Sequence, residues 1–167
     1  MATIETRKTQ IKNVFKNYQE IFDQSVSINP IDSHGEKDSV IYVPKLVNHD
    51  NPSEGVPLKD RVGFLSLREE VDSNGNVLGY LYRFTSDEYI YIAEKKNHRA
   101  DDWMKEGFFN FHYQKDRQHD MPHVSFLHSS IKYISREIDL NDFLDFIKRT
   151  FFVNGSRNNS LPWHSRF

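Results

Sequence analysis

The chain contains no cysteine. Disulfides, thiolate metal sites and cysteine nucleophiles are therefore excluded, and a reducing, cytoplasmic setting is the matching expectation. No apolar run approaches the ~18 residues needed to cross a membrane. The opening MATIETRKTQIKN has no apolar stretch of the kind a secretory signal carries. Neither sign of charge dominates: 22 Lys and Arg stand against 24 Asp and Glu, a net of −2 with the 8 His counted neutral. No global field therefore draws the chain to nucleic acid or to an anionic surface. Walker A, GxGxxG and GxSxG patterns are all missing, as is any repeat at a period of ~20–50 residues. No cofactor is implied.

What the chain does have is length for one core, at 167 residues, and aromatic bulk, with 13 Phe and 8 Tyr. From Thr6 to Asp23 the positions Ile11, Val14, Phe15, Tyr18, Ile21 and Phe22 form one apolar stripe at helical spacing. Then the period changes. SVSINPI and SVIYVPKL are short, β-branched and broken by Pro30 and Pro44, which predicts edge strands or strand ends. Asn48 to Lys59 is rich in turn formers and predicts a loop. RVGFLSLREEV and VLGYLYRF flank Asn74-Gly75, which predicts a β-hairpin. EYIYIAEK, FFNFHYQK, HVSFLHSS and IKYISREI predict further strands, with a polar connection after the first. Asp139 or Asn141 can cap a last helix through Thr150, with Leu140, Phe143, Leu144, Ile147 and Phe151 inward.

The expected fold is α+β: a mostly antiparallel sheet of about six strands packed against an N-terminal and a C-terminal helix. Residues 1–152 would form a single domain. Residues 153–167 would form an extended or flexible tail, pinned by Trp163.

Chemistry concentrates in RQHDMPHVSFLHSS, Arg117 to Ser130, with His112 just upstream. Five of the eight histidines lie between His98 and His128. Histidine titrates near neutral pH and suits proton transfer. Cleavage of RNA by an internal hydroxyl needs one group to take a proton, another to give one, and a cation near the phosphorane. His112, His119, His123 and His128 are candidates for the first two roles. Arg117 or Lys115 is the candidate for the third. Strand alternation sets His123 and His128 on opposite faces. It favours His112 with His123 as a pair across adjacent strands joined through DRQHDM. Arg117 and His119 would then sit at the rim.

Other readings compete. His119, Asp120 and His123 could hold a metal in an irregular loop, as in a metal-dependent hydrolase, but Met121-Pro122 argues against a helix that would align the two histidines. HVSF fits half of a 2H phosphoesterase motif, whose required second copy is missing. The histidines could equally be polar residues of a sheet face in a non-enzymatic, partner-binding or regulatory module. Asp101-Asp102 is better explained as a helix start before Trp103 than as a metal pair. His34, His49 and His164 fall in expected loops or tail. Local charge favours a phosphate substrate: residues 95–136 carry 8 Lys and Arg against 5 acids, and residues 146–167 carry 4 against none.

The order of features from Val62 to Phe151 resembles TumE-type toxins of bacterial toxin–antitoxin systems. FFNFHYQ matches their aromatic strand ending in histidine, MPHVSFLH their Pro-His segment, and REIDLNDFLDFIKRTF their leucine-rich helix. The correspondence covers Phe111-His112, Pro122-His123 and His128. The family's Asn-Ala-Pro-His-His element is only partly reproduced in DRQHDMPHVS. The resemblance implies a bacterial cytoplasmic toxin, a cognate antitoxin partner and a nucleic-acid-directed activity.

Overall fold

Two helices lie on one face of a twisted antiparallel sheet. The computed structural model describes residues 3–23, 28–34, 39–43, 55–86, 89–95, 123–126, 133–134 and 137–161, the backbone alone at 34, 123–126 and 133–134. Helix α1 (Ile4–Asn17) starts where the Thr3 hydroxyl accepts the Thr6 N–H, and Ile11 and Phe15 form its buried stripe. A 3₁₀ turn, Gln19–Ile21, follows and buries Ile21. Phe22 then packs on Phe15, with ring centroids 5.2 Å apart.

Helix α2 (Leu140–Phe151) opens with a reciprocal capping box between Asp139 and Asp142. It buries Leu140, Phe143, Leu144, Ile147 and Phe151, the expected inward set. Both helix ends are therefore well terminated. At the far end, the Asn158 N–H donates to the Phe151 carbonyl and the Asn158 side-chain amide to that of Thr150.

The sheet comprises β1 (Ile31–His34), β2 (Ser39–Val43), β3 (Val56–Pro57), β4 (Phe64–Val71), β5 (Val77–Thr85), β6 (Ile90–Lys95), β7 (His123–Phe126) and β8 (Tyr133–Ile134). Its order is β1-β2-β4-β5-β6-β7-β8, with β3 also on β4, and every pairing is antiparallel. Six of these strands have four or more residues. That matches the expected α+β architecture; β3 and β8 are two-residue additions.

Alternation sorts the strands. Leu65, Leu67, Glu69 and Val71 share the helix-facing side with Tyr80, Tyr82 and Phe84, and then with Tyr91 and Ala93. Helix α2 meets this face through aromatics. Phe143 stacks on Tyr91 at 5.2 Å and tilts against Tyr82 at 5.6 Å, and Phe151 lies 4.3 Å from Phe84. Each such side chain contributes roughly 1.5–3 kcal/mol of apolar burial.

Several expectations change. Of SVSINPI, residues 25–27 lie outside the described residues, and the described strand starts at Ile31, directly after Pro30, which has no N–H for the ladder. The loop expected over 48–59 contains β3, which pairs Val56 with Leu65. In the β4–β5 hairpin only Gly75 has positive φ, at 80°. There Asp72 organises the turn, its carboxylate accepting the Asn74 and Asn76 N–H groups, both at 2.9 Å.

Of the tail expected over 153–167, residues 153–161 are described, and they fold back towards the core. Strands β9 (Phe152–Val153) and β10 (Ser156–Arg157) form a tight hairpin. Asn154 and Gly155 supply its turn with φ of 51° and 79°. Leu161 packs against the core. Trp163 and the strand expected in FFNFHYQK lie outside the described residues.

Candidate functional site

Of the five residues singled out in the sequence, the described residues include the backbone of His123 alone. His112, Arg117, His119 and His128 lie outside them, as do Lys115 and Asp120. His123 is the first residue of β7. It stands opposite Glu94 of β6 on one side and Ile134 of β8 on the other. Both ladder positions beside His123 are therefore filled. The strand expected to carry His112 lies outside the described residues, so its place relative to His123 is not described.

The row through His123 runs across the sheet on the side away from the helices. It continues from Glu94 to Leu81, Arg68 and Tyr42. One row over, Ser125 leads to Ile92, Arg83 and Ser66. This outer face has charge. Arg68 pairs with Glu70 at 2.8 Å. Burial pulls the Arg68 guanidinium down, but its hydrogen bonds to Glu70 and Tyr42 outweigh it and raise the pKa. Leu81, Arg83, Ser66 and Thr85 are buried on this face although both helices pack on the other.

The helix side holds a group that the sequence reading missed. Glu69 is fully buried, at 0% exposure, on an inward position of β4. Arg7 of α1 grips it with both arms of its fork, Nε to Oε2 at 2.7 Å and one terminal nitrogen to Oε1 at 2.7 Å. The Tyr82 hydroxyl donates to Oε1, also at 2.7 Å. The third Arg7 nitrogen reaches Gln10. Burial alone would lower the Arg7 pKa, but Glu69 raises it. Burial, then the Glu69 charge, holds the Tyr82 phenol well above its ordinary value. Period-two alternation in FLSLREEV was the available signal, since it sets Glu69 in line with Leu65 and Leu67.

A cavity of about 310 Å³ opens beside this clamp, lined by Arg7, Tyr80, Tyr82, Lys95, Glu137 and Asp142, among others. Lys95 pairs with Glu137, and the Ile138 N–H donates to the Tyr80 hydroxyl at 2.9 Å. Arg7, Glu69 and Tyr82 satisfy one another, so their chemistry is that of a bolt between α1 and the sheet. They do not form a poised acid–base pair.

Among the described residues, no group of three or more His, Asp or Glu is arranged to hold a metal ion, and no helix is long and apolar enough to cross a membrane. No family model, curated protein or solved structure matches the chain.

Proposed function

We propose that the chain is a toxin-like protein of a bacterial toxin–antitoxin or defence system that cleaves RNA by metal-independent acid–base chemistry. His123 and His112 are its proton-transfer residues. Arg117 steadies phosphate, and His119 or His128 assists. The observation that supports this reading best is the register of β7. His123 is one strand spacing, about 4.8 Å, from the half-buried Glu94. Arg83 and Arg68 lie on the same face, and the sequence around His123 is rich in histidine and cations. The resemblance to TumE-type toxins points the same way and implies an antitoxin partner.

A second reading, a binding module without chemistry, is favoured by the outer edge of β1, where Ile31 is 53% exposed. Expression of wild type, His112→Ala and His123→Ala in growing cells separates the two. Acid–base cleavage requires both variants to lose RNA degradation and growth arrest. Variants that arrest growth and degrade RNA as wild type does overturn the assignment. Arrest without RNA loss in all three supports the binding module.

A further inference from the structure

We propose that Arg61 and Arg157 form a phosphate-binding site, and that the phosphate belongs to the backbone of single-stranded RNA. The two arginines come from distant parts of the chain. Arg61 ends the 3₁₀ turn Lys59–Arg61 that leads into β4, and Arg157 ends β10. The hairpin β9–β10 docks on that turn, and the Arg157 N–H donates to Asp60 Oδ2 at 3.0 Å. The result is an open cavity of about 330 Å³ lined by Asp60, Arg61, Ser156, Arg157 and Asn159. Arg157 Nε donates to Asn159 Oδ1 at 3.1 Å. Among the described lining residues are two guanidinium groups and one carboxylate, and one oxygen of that carboxylate accepts from the Arg157 backbone N–H.

Backbone conformation makes this more than a surface pair. Asp60 and Arg61 both have φ of 57°, in the left-handed region. Aspartate tolerates that region; arginine does so only at a cost in free energy. Such strain persists only where surrounding structure imposes it, and it concentrates at functional positions. Here Leu58 and Val62, both buried, anchor the turn on either side, and the Leu58 N–H donates to the Gly63 carbonyl at 2.8 Å. A glycine at 61 would remove the strain. Arginine keeps it and adds a second guanidinium, a group suited to phosphate, to the lining of the same cavity. The choice of RNA as the polymer rests on the function proposed above. The anion site itself rests on the two arginines and the strained turn.

Arg61→Gly separates strain from binding. Binding of a fluorescently labelled single-stranded oligouridylate is followed by anisotropy over a salt series, for wild type, Arg61→Gly, Arg157→Ala and the control Arg149→Ala. Arg149 is exposed on α2 and paired with Asp145. Arg61→Gly and Arg157→Ala are expected to weaken binding by roughly ten-fold each and to flatten the logarithmic salt slope by about 0.7. Arg61→Gly is expected to raise the melting temperature at the same time, and Arg149→Ala to leave both readings near wild type. Inorganic phosphate should compete with the RNA in wild type. Unchanged affinity and slope in both variants overturn the proposal. Preserved RNA affinity with lost binding of a phosphopeptide probe overturns the choice of RNA. RNA binding through these arginines with full cleavage by His123→Ala refutes the histidine mechanism and leaves this site standing.

Discussion

Replacing Arg7 by Met leaves Glu69 buried at 0% exposure, with the Tyr82 hydroxyl as its remaining partner in the clamp. The Coulombic and hydrogen-bond compensation from both fork contacts, each 2.7 Å, is lost together. Breaking one side of a buried pair costs about 3–5 kcal/mol, because the other charge is stranded. Arg7 itself keeps 15% side-chain exposure, so the lower half of that range is expected. Removing both charges should be far milder. Arg7→Met with Glu69→Leu is expected to fall about 1–2 kcal/mol below wild type, mostly because the Tyr82 hydroxyl loses its buried acceptor. Adding Tyr82→Phe should recover part of that loss. The coupling energy in the double-mutant cycle is then at least ~2 kcal/mol and favourable. Urea unfolding with a constant m-value gives each number. Additivity within ~0.5 kcal/mol, or an Arg7→Met cost below ~1 kcal/mol, would refute the claim that the pair is buried and mutually dependent.

Gly63→Ala should unfold the protein or lower its stability severely, by at least ~3 kcal/mol. A Cβ there would stand 2.4 Å from the Thr85 carbonyl oxygen, on backbone with φ of 157°; near-native urea midpoints would contradict the packing of β4 on β5. The tyrosines predict an alkaline limit. Burial raises Tyr82, helped by the Glu69 charge, and burial pushes Tyr91 up to about 12. A folded pKa above the unfolded value of 10.0 means stability that is complete below pH 10 and lost as pH rises beyond it. Ultraviolet titration should show these two phenols ionising later than the exposed ones, and Tyr82→Phe should soften the alkaline loss. Ionisation of all 8 tyrosines in one step near pH 10, with native circular dichroism, would sink this reading.

Helix α2 was legible from its sequence because cap, apolar stripe and terminus all act within twelve residues. The β4–β5 hairpin was legible for the same local reason. The Arg7–Glu69 contact was not, since its partners are 62 residues apart and no local pattern announces a pair. Glu69 alone could have been flagged by its place in the alternation. The β9–β10 hairpin carries a local signal of its own. Asn154-Gly155 is the same turn signal as Asn74-Gly75, and it is the former that takes positive φ at both residues. Its flanking strands are only two residues long, too short to show a period. The histidine arrangement was the least legible part. Alternation constrains faces within a strand, whereas the neighbours of His123 are set by β6 and β8, elements that the local spacing around His123 does not reveal.

The sheet order has a kinetic consequence. Apart from β3, each strand lies beside its predecessor in the chain. Such a meander closes mostly short loops, and local contacts speed the search for the native state. Among the described strands two pairings are exceptions: β2 with β4, spanning Val43 to Phe64, and β6 with β7, spanning Lys95 to His123. Zipping should therefore start at the β4–β5 hairpin and spread to β6, with β2, β7 and β8 joining later. Damage to the hairpin will slow folding. Damage to the late edge will mainly hasten unfolding, so the strand that carries His123 belongs to the part of the sheet that opens first.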